Sequence, residues 1–229
     1  MKKIIIIITI TLLFLTLPAS AETRWNFEAS TGSVYNLPLP LNIDSAEQGE
    51  IEIEDALFES NSQGYLPNFN FRLSRYNNQR AWELELIHHK MILNQPSLDE
   101  YNEIQKIDFP YGFNHLTINH TWETGVLNYR LGAGVLLTYP DIKIDGTQYP
   151  TDSGLNDTGI HAVGPTIQLT ANRSFELINS LHFNIEAKIT GSYAKIEFEE
   201  ENLAGEQSEV SLTIPSASLH TLFGLKYSF

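Results

Sequence analysis

Through most of the chain apolar and polar residues alternate with a period of two, the spacing of strands with one oily face and one wet face. The last eleven residues, Leu219 to Phe229, put Phe223, Leu225, Tyr227 and Phe229 on one side and His220, Gly224, Lys226 and Ser228 on the other. Alternation that runs into the final residue predicts a terminal segment held inside a sheet. Seven earlier segments repeat the pattern. Trp25, Phe27, Ala29 and Thr31 oppose Asn26, Glu28 and Ser30, and Phe69, Phe71 and Leu73 oppose Asn70, Arg72 and Ser74. Trp82, Leu84 and Leu86 oppose Glu83, Glu85 and Ile87, in a strand continuing through His88, His89 and Lys90. Asn114, Leu116, Ile118 and Trp122 oppose His115, Thr117 and Asn119. Leu127, Tyr129, Leu131, Ala133, Val135 and Leu137 oppose Asn128, Arg130, Gly132 and Gly134. Val163, Ile167 and Leu169 oppose Gly164, Thr166, Gln168 and Thr170, and Leu181, Phe183, Ile185, Ala187 and Ile189 oppose His182, Asn184, Glu186, Lys188 and Thr190.

The connections alternate in length. Asn36 to Leu66, Asn94 to Pro110, Asp141 to Gly159 and the acidic Glu199 to Glu209 are long; the turns at Asn77-Asn78-Gln79, Glu123-Thr124-Gly125 and Arg173 to Asn179 are short. External loops alternating with periplasmic turns give that rhythm, with both termini on the periplasmic side. Beyond the N-terminal run no segment has the 18 or so apolar residues of a membrane helix. A chain that spans lipid without helices must close its sheet, because lipid offers no partner for an open edge. The expectation is all-β: an eight-stranded antiparallel up-and-down transmembrane β-barrel. A soluble eight-stranded ligand-binding barrel also alternates. Aromatics near the strand ends on the apolar face, Trp25, Trp82, Trp122, Tyr129, Tyr227 and Phe229, favour the membrane form, where they make interfacial girdles. The C-terminal strand resembles that of bacterial outer-membrane barrels.

The N-terminus fits export. Lys2 and Lys3 precede the uncharged run Ile4 to Leu17, then Pro18 and the small-residue site Ala19-Ser20-Ala21, which predicts a cleavable signal over residues 1–21 and a barrel over 22–229. The chain has 14 Lys+Arg against 28 Asp+Glu; without Lys2 and Lys3 the balance is 12 against 28, a net charge of −16, which excludes nucleic acid as a partner. With no cysteine there is neither a disulfide framework nor thiolate chemistry. Outer-membrane lipids, with lipopolysaccharide or its lipid A among them, are the expected surroundings of a monomer, and no cofactor is indicated.

With the oily face outward, the interior carries Arg72, Arg130, Lys188 and Lys226 against Glu28, Glu83, Glu85 and Glu186. Ions inside a narrow barrel must pair and hydrogen-bond, here with Asn70, Asn119, Asn184 and Gln168, so the expectation is a side-chain plug rather than a wide pore. Acidity is concentrated in the first long loop, from Asp44 to Glu59, and in the fourth. Those loops read as solvated faces that could hold divalent cations, and Ile51, Ile53, Leu57 and Phe58 suggest a hairpin above the membrane.

Candidate chemistry lies at the external end of the third strand. Glu85 and His89 share the inward face four residues apart, flanked by His88 and Lys90, a carboxylate and an imidazole that could act as base and orienting group. No Ser–His arrangement forms a triad, and no histidine spacing names a metal set. The stretches Leu86 to Lys90, Tyr111 to Asn119, Leu131 to Val135, Gly164 to Gln168 and Glu186-Ala187-Lys188 resemble a family of small outer-membrane barrels, of surface-antigen type, that includes lipid A oxidase. The resemblance implies an eight-stranded barrel and lipid A as substrate of its enzymatic members. It carries over a polar site of Glu85, His89, Asn114, Asn119, Gln168, Glu186 and Lys188, while Tyr111 and Tyr139 stand where that family often has histidine. Glu85, His89, Glu186 and Lys188 are the candidate catalytic residues, and His88, Lys90, Asn114, Asn119 and Gln168 the candidate binding residues. Three functions follow as expectations: a plugged surface or envelope protein contacting lipopolysaccharide or an external partner, a lipid A modifying enzyme, or a narrow channel for small hydrophobic molecules if Gly132, Gly134 and Gly164 line a gap.

Overall fold

The computed structural model describes residues 23–45, 49–60, 68–99, 101, 103–149, 159–201 and 207–229, without side chains for 199–201 and 207–209. The expected signal segment, residues 1–21, lies outside these. Eight long strands form the wall: β1 (Thr23–Asn36), β5 (Phe69–Asn77), β6 (Arg80–Leu93), β7 (Ile104–Glu123), β8 (Asn128–Thr138), β11 (His161–Ile178), β12 (Leu181–Glu201) and β13 (Gln207–Ser228). Each pairs antiparallel with the next, and β1 pairs with β13 from Asn26↔Ser228 to Asn36↔Ser218, so the sheet closes. Backbone bonds between Trp25 and Phe229, at 3.0 and 2.8 Å, finish the seam. Closure gives every strand two neighbours, which is what a hydrocarbon environment demands of a sheet.

The face assignments follow the alternation. Phe27, Phe71, Leu73, Trp82, Leu84, Leu131, Ile167, Leu169, Ile185, Phe223 and Leu225 are exposed on the outside, while Glu28, Asn70, Arg72, Glu83, Glu85, Asn119, Arg130, Gln168, Glu186 and Lys188 are buried within. On β1 the interfacial aromatics Trp25 and Tyr35 are ten residues apart. At about 3.4 Å per residue and a tilt of about 40° that is a rise of about 26 Å, against a lipid-facing band of about 25 Å.

Higher up, the phase of the alternation inverts. In β12 the inward residues change from Asn184, Glu186, Lys188 and Thr190 to Ala194, Ile196 and Phe198, all buried, while Lys195 and Glu197 on the outside are exposed. β13 mirrors this, with Val210, Leu212 and Ile214 inward above Ser216, Ser218 and His220. A strand that has left lipid for water must turn its oily side in. The result is an external head built on the same strands. The extension of β7 pairs with a hairpin of β9 (Asp141–Ile144) and β10 (Thr147–Tyr149), turned at Asp145-Gly146 with positive φ at both residues (49° and 79°), as a two-residue hairpin turn requires. β13 pairs with β2 (Leu39–Ser45), which pairs with β3 (Gly49–Ala56); β4 (Phe58–Glu59) pairs with β6, and a short helix α1 (Gln95–Asp99) follows. Their buried residues form one apolar core, including Leu41, Ile43, Phe58, Met91, Ile107, Phe109, Phe113, Leu136, Ile142, Ile196 and Ile214.

Several expectations change. In the segment Glu199 to Glu209, expected as an acidic loop, residues 199–201 and 207–209 are instead the top of the β12–β13 ladder, paired through Glu199↔Glu209 to Glu201↔Gln207, and residues 202–206 lie outside the described residues. Much of the loop Asn94 to Pro110 belongs to β7, part of Asp141 to Gly159 is the β9–β10 hairpin, and β11 runs on to Ile178, so the turn there is only Asn179-Ser180. The expected hairpin around Ile51 and Ile53 is β2–β3. Val163, expected on the lipid face, is not there: a register shift between Ala162 and Gly164 adds a residue to β11 and carries Val163 into the head's core.

Candidate functional site

The inward candidates form a closed ion network. Arg72 lies 3.0 Å from Glu28, 3.6 Å from Glu83, 2.8 Å from Glu85 and 2.9 Å from Glu186. Arg130 bonds Glu83 at 2.7 Å and Glu186 at 2.9 Å, and Lys188 bonds Glu85 and, at 3.2 Å, Glu186. The other carboxylate oxygen of Glu85 accepts from Asn119 Nδ2 at 2.6 Å and from Gln168 Nε2, whose amide also bonds Asn119 Oδ1 and Thr117. Glu85, Glu186, Lys188, Asn119 and Gln168 are therefore together, buried and bonded to one another, with only Gln168 Oε1 among them left without a hydrogen-bond partner. Lys226, the fourth expected cation, stands apart at the periplasmic mouth and donates to Ser174 Oγ at 3.0 Å.

His89 does not join them. Four residues along a strand is about 13 Å, and Ile87 fills the interval on the same face, so no Glu85–His89 base pair forms. His89 instead lies between His115 and His220, with ring centroids 5.4 Å away in each case. His115 Nδ1 meets Thr166 Oγ1 at 2.7 Å and His220 Nε2 meets Thr190 Oγ1 at 2.9 Å. This imidazole layer separates the ions below from Phe113 and Leu136 above. His115 and His220 are absent from the sequence-derived candidates, although their register on the inward face marks them. Among the described residues no group of three or more His, Cys, Asp or Glu side chains is arranged to hold a metal.

Asn114, His88 and Lys90 belong to a second place, on the outer wall, so the single polar site implied by the family resemblance is divided by the strand's own alternation. His88 is 3 % exposed although its register faces outward. Its ring stacks on Phe69 at 4.5 Å and its Nδ1 lies 2.7 Å from Asn114 Oδ1. Asn114 Nδ2 donates to the carbonyls of Tyr111 (3.4 Å) and Gly112 (3.2 Å), which fixes the amide's orientation. Asn114 Oδ1 is thus the acceptor, Nδ1 of His88 carries the proton, and Nε2 keeps its lone pair. Gly112 makes the niche possible: its φ is 103°, and a Cβ there would stand 2.3 Å from the His88 ring. Lys90 follows at a register shift between His89 and Met91, and Tyr111 meets Tyr139 edge-on at 5.0 Å. The glycines invoked for a lateral gap sit at close approaches instead. A Cβ on Gly132, Gly134 or Gly164 would lie within 2 Å of Asn119 Oδ1, the Leu116 carbonyl or the Tyr193 carbonyl.

A closed barrel with an oily exterior, an ionic interior and a water-facing head at one end is an integral protein of the bacterial outer membrane. No protein-family model matches the chain, and no curated protein matches it in sequence. Among solved structures it is similar to the outer membrane protein AlkL in lipid bilayers (16 % identity over 93 % of this chain and 95 % of that one, TM-score 0.47). It is also similar to OprG from Pseudomonas aeruginosa (9 %, 91 % and 96 %, TM-score 0.43) and to a major outer membrane protein from Thermus thermophilus (10 %, 90 % and 99 %, TM-score 0.49). At these values the likeness is one of general shape, and the class rests on the barrel's own closure and polarity.

Proposed function

We propose that this protein is a surface protein of the outer membrane whose external head contacts lipopolysaccharide or an external partner, the barrel serving as its anchor. The supporting observation is that the lumen is filled at two levels, by the ion network around Arg72 within the membrane and by the apolar core around Phe109 and Ile214 in the head. A lumen packed with its own side chains leaves the outer surfaces as the working parts. The test has two readings. In planar bilayers the protein gives no large, steady conductance; in nanodiscs, lipopolysaccharide raises its unfolding temperature above that in phospholipid alone. Steady conductance, or equal stability in both lipids with no partner captured by the head, overturns the proposal.

A lipid A modifying activity is the second reading, and the His88–Asn114 pair favours it. A neutral imidazole oriented through Nδ1 keeps on Nε2 the lone pair a general base needs; that nitrogen is buried without a partner, so a lipid substrate must open the niche to reach it. The saturated Glu85–Lys188–Glu186 set is less suited, since each group is already committed to a partner. Mass spectrometry of lipid A from cells with and without the gene tests this reading, and identical spectra across growth conditions remove it.

A further inference from the structure

The head ends in a sheet edge. β3 pairs with β2 and with no other strand among the described residues. Beside it is a groove of about 700 Å³ between β3 and α1, lined by Pro38, Glu52, Glu54, Asp55, Ser97 and Tyr101 among others. Tyr101 Oη donates across it to the Glu52 carbonyl at 2.8 Å, so the β3 backbone faces the groove there, and an incoming strand takes that acceptor over from the tyrosine. Glu50, Glu52, Glu54 and Asp55 are exposed, whereas Ile53 and Ala56 turn into the core, and among the described residues no Lys or Arg lines the groove.

An open edge recruits another extended strand through its unpaired backbone groups. Its charges decide which strand. A second copy of β3 would bring a row of glutamates against a row of glutamates, and like charges directly opposite are destabilising. A strand with Lys or Arg at alternate positions would meet carboxylates instead. We propose that the β3 edge is a docking site for an extended, cationic peptide segment of another protein, which adds to the sheet as a further strand. This rests on the reading of the head as the working part, and it specifies one class of partner.

The test uses the full chain in phospholipid nanodiscs, without lipopolysaccharide, and three eight-residue probes. One alternates Lys and Val, one alternates Glu and Val, and the third is the Lys–Val peptide N-methylated at alternate residues, which keeps its charge and loses its edge pairing. The expected result is binding of the first probe alone, with slowed amide exchange at Glu50 and Glu52. Binding weakens about tenfold in the variant Glu52→Gln/Glu54→Gln/Asp55→Asn, the loss expected of a few rim charge contacts. Equal binding of the methylated and unmethylated peptides means surface adsorption and overturns the inference. So does the absence of binding, in which case the carboxylates merely keep edges apart, and so does Mg²⁺ slowing exchange at Glu50 and Glu52 as fully as the peptide. Failure here with lipopolysaccharide stabilisation intact rejects the peptide site and leaves the proposed function standing.

Discussion

Replacing Arg72 by methionine tests whether the lumen is an ionic lattice or merely a crowd of polar side chains. Arg72 contacts four carboxylates, those of Glu28, Glu83, Glu85 and Glu186. Without it, Arg130 and Lys188 remain to answer all four. Removing one partner of a buried pair costs about 3–5 kcal/mol, because the other charge is left without compensation. Removing both is far cheaper, since the desolvation penalty disappears along with the attraction. Arg72→Met is therefore expected to lose about 3–5 kcal/mol, and Arg72→Met/Glu186→Gln to recover more than half of that loss, because Glu186 also has Arg130 and Lys188 as neighbours and its removal moves the cluster back toward balance. Reversible urea unfolding in phospholipid vesicles, followed by tryptophan fluorescence, measures both variants. A single-mutant loss below about 1 kcal/mol, within the range of an ordinary surface change, or a double mutant no better than the single, refutes the coupled lattice.

Further outcomes follow from other parts of the molecule. If the alternation inverts near residue 191, Ile196→Asn costs about 3 kcal/mol in the head's core and Ile185→Lys, midway along the lipid-facing part of β12, about 2–4 kcal/mol, while Lys195→Leu stays within about 0.5 kcal/mol; equal costs at Lys195 and Ile196 in the same urea assay contradict the inversion. Gly112→Ala is expected to lose about 2 kcal/mol or more through its positive φ and the crowded His88 ring, and in ¹⁵N NMR spectra the His88 side chain no longer shows a single tautomer. An unchanged imidazole spectrum removes the niche. In the head, the hydrogen bond to Asp141 raises the ammonium of Lys106 above its usual range. The bridge is therefore fully formed at neutral pH, and its contribution falls only as pH climbs past the ordinary lysine value through the raised one. Lys106→Met should therefore lower stability at neutral pH by no more than about 1 kcal/mol, given the bridge's exposure, and converge with the parent protein once pH passes the raised lysine value; a difference that persists undiminished at alkaline pH speaks against it.

The spanning strands were legible because one rule governs them: apolar out, polar in, period two. Phe27, Phe71, Leu84, Leu131, Ile167, Ile185 and Leu225 obey it, and the inward charges can be written down before any pairing is known. The head escapes the same rule for a physical reason. Above the membrane the solvent changes from lipid to water, so Ala194, Ile196 and Phe198 face inward in the register that Glu186 and Lys188 occupy below, and a search for outward oil reads such residues as loop. The site was half legible. Residue type and face predicted the contacts of Glu85, Glu186, Lys188, Asn119 and Gln168. The distance from Glu85 to His89, the three-imidazole layer and the His88 niche depend on register between strands far apart in sequence, and no local spacing encodes that.

The β12–β13 hairpin has one consequence beyond the interior it encloses. Its ladder runs without a register shift from Leu181↔Tyr227 to Glu201↔Gln207, through lipid and out into water. A hairpin with no hinge behaves as a stiff mast. A load applied at its outermost described pair, Glu201 and Gln207, passes along the ladder straight to the seam between the first and last strands.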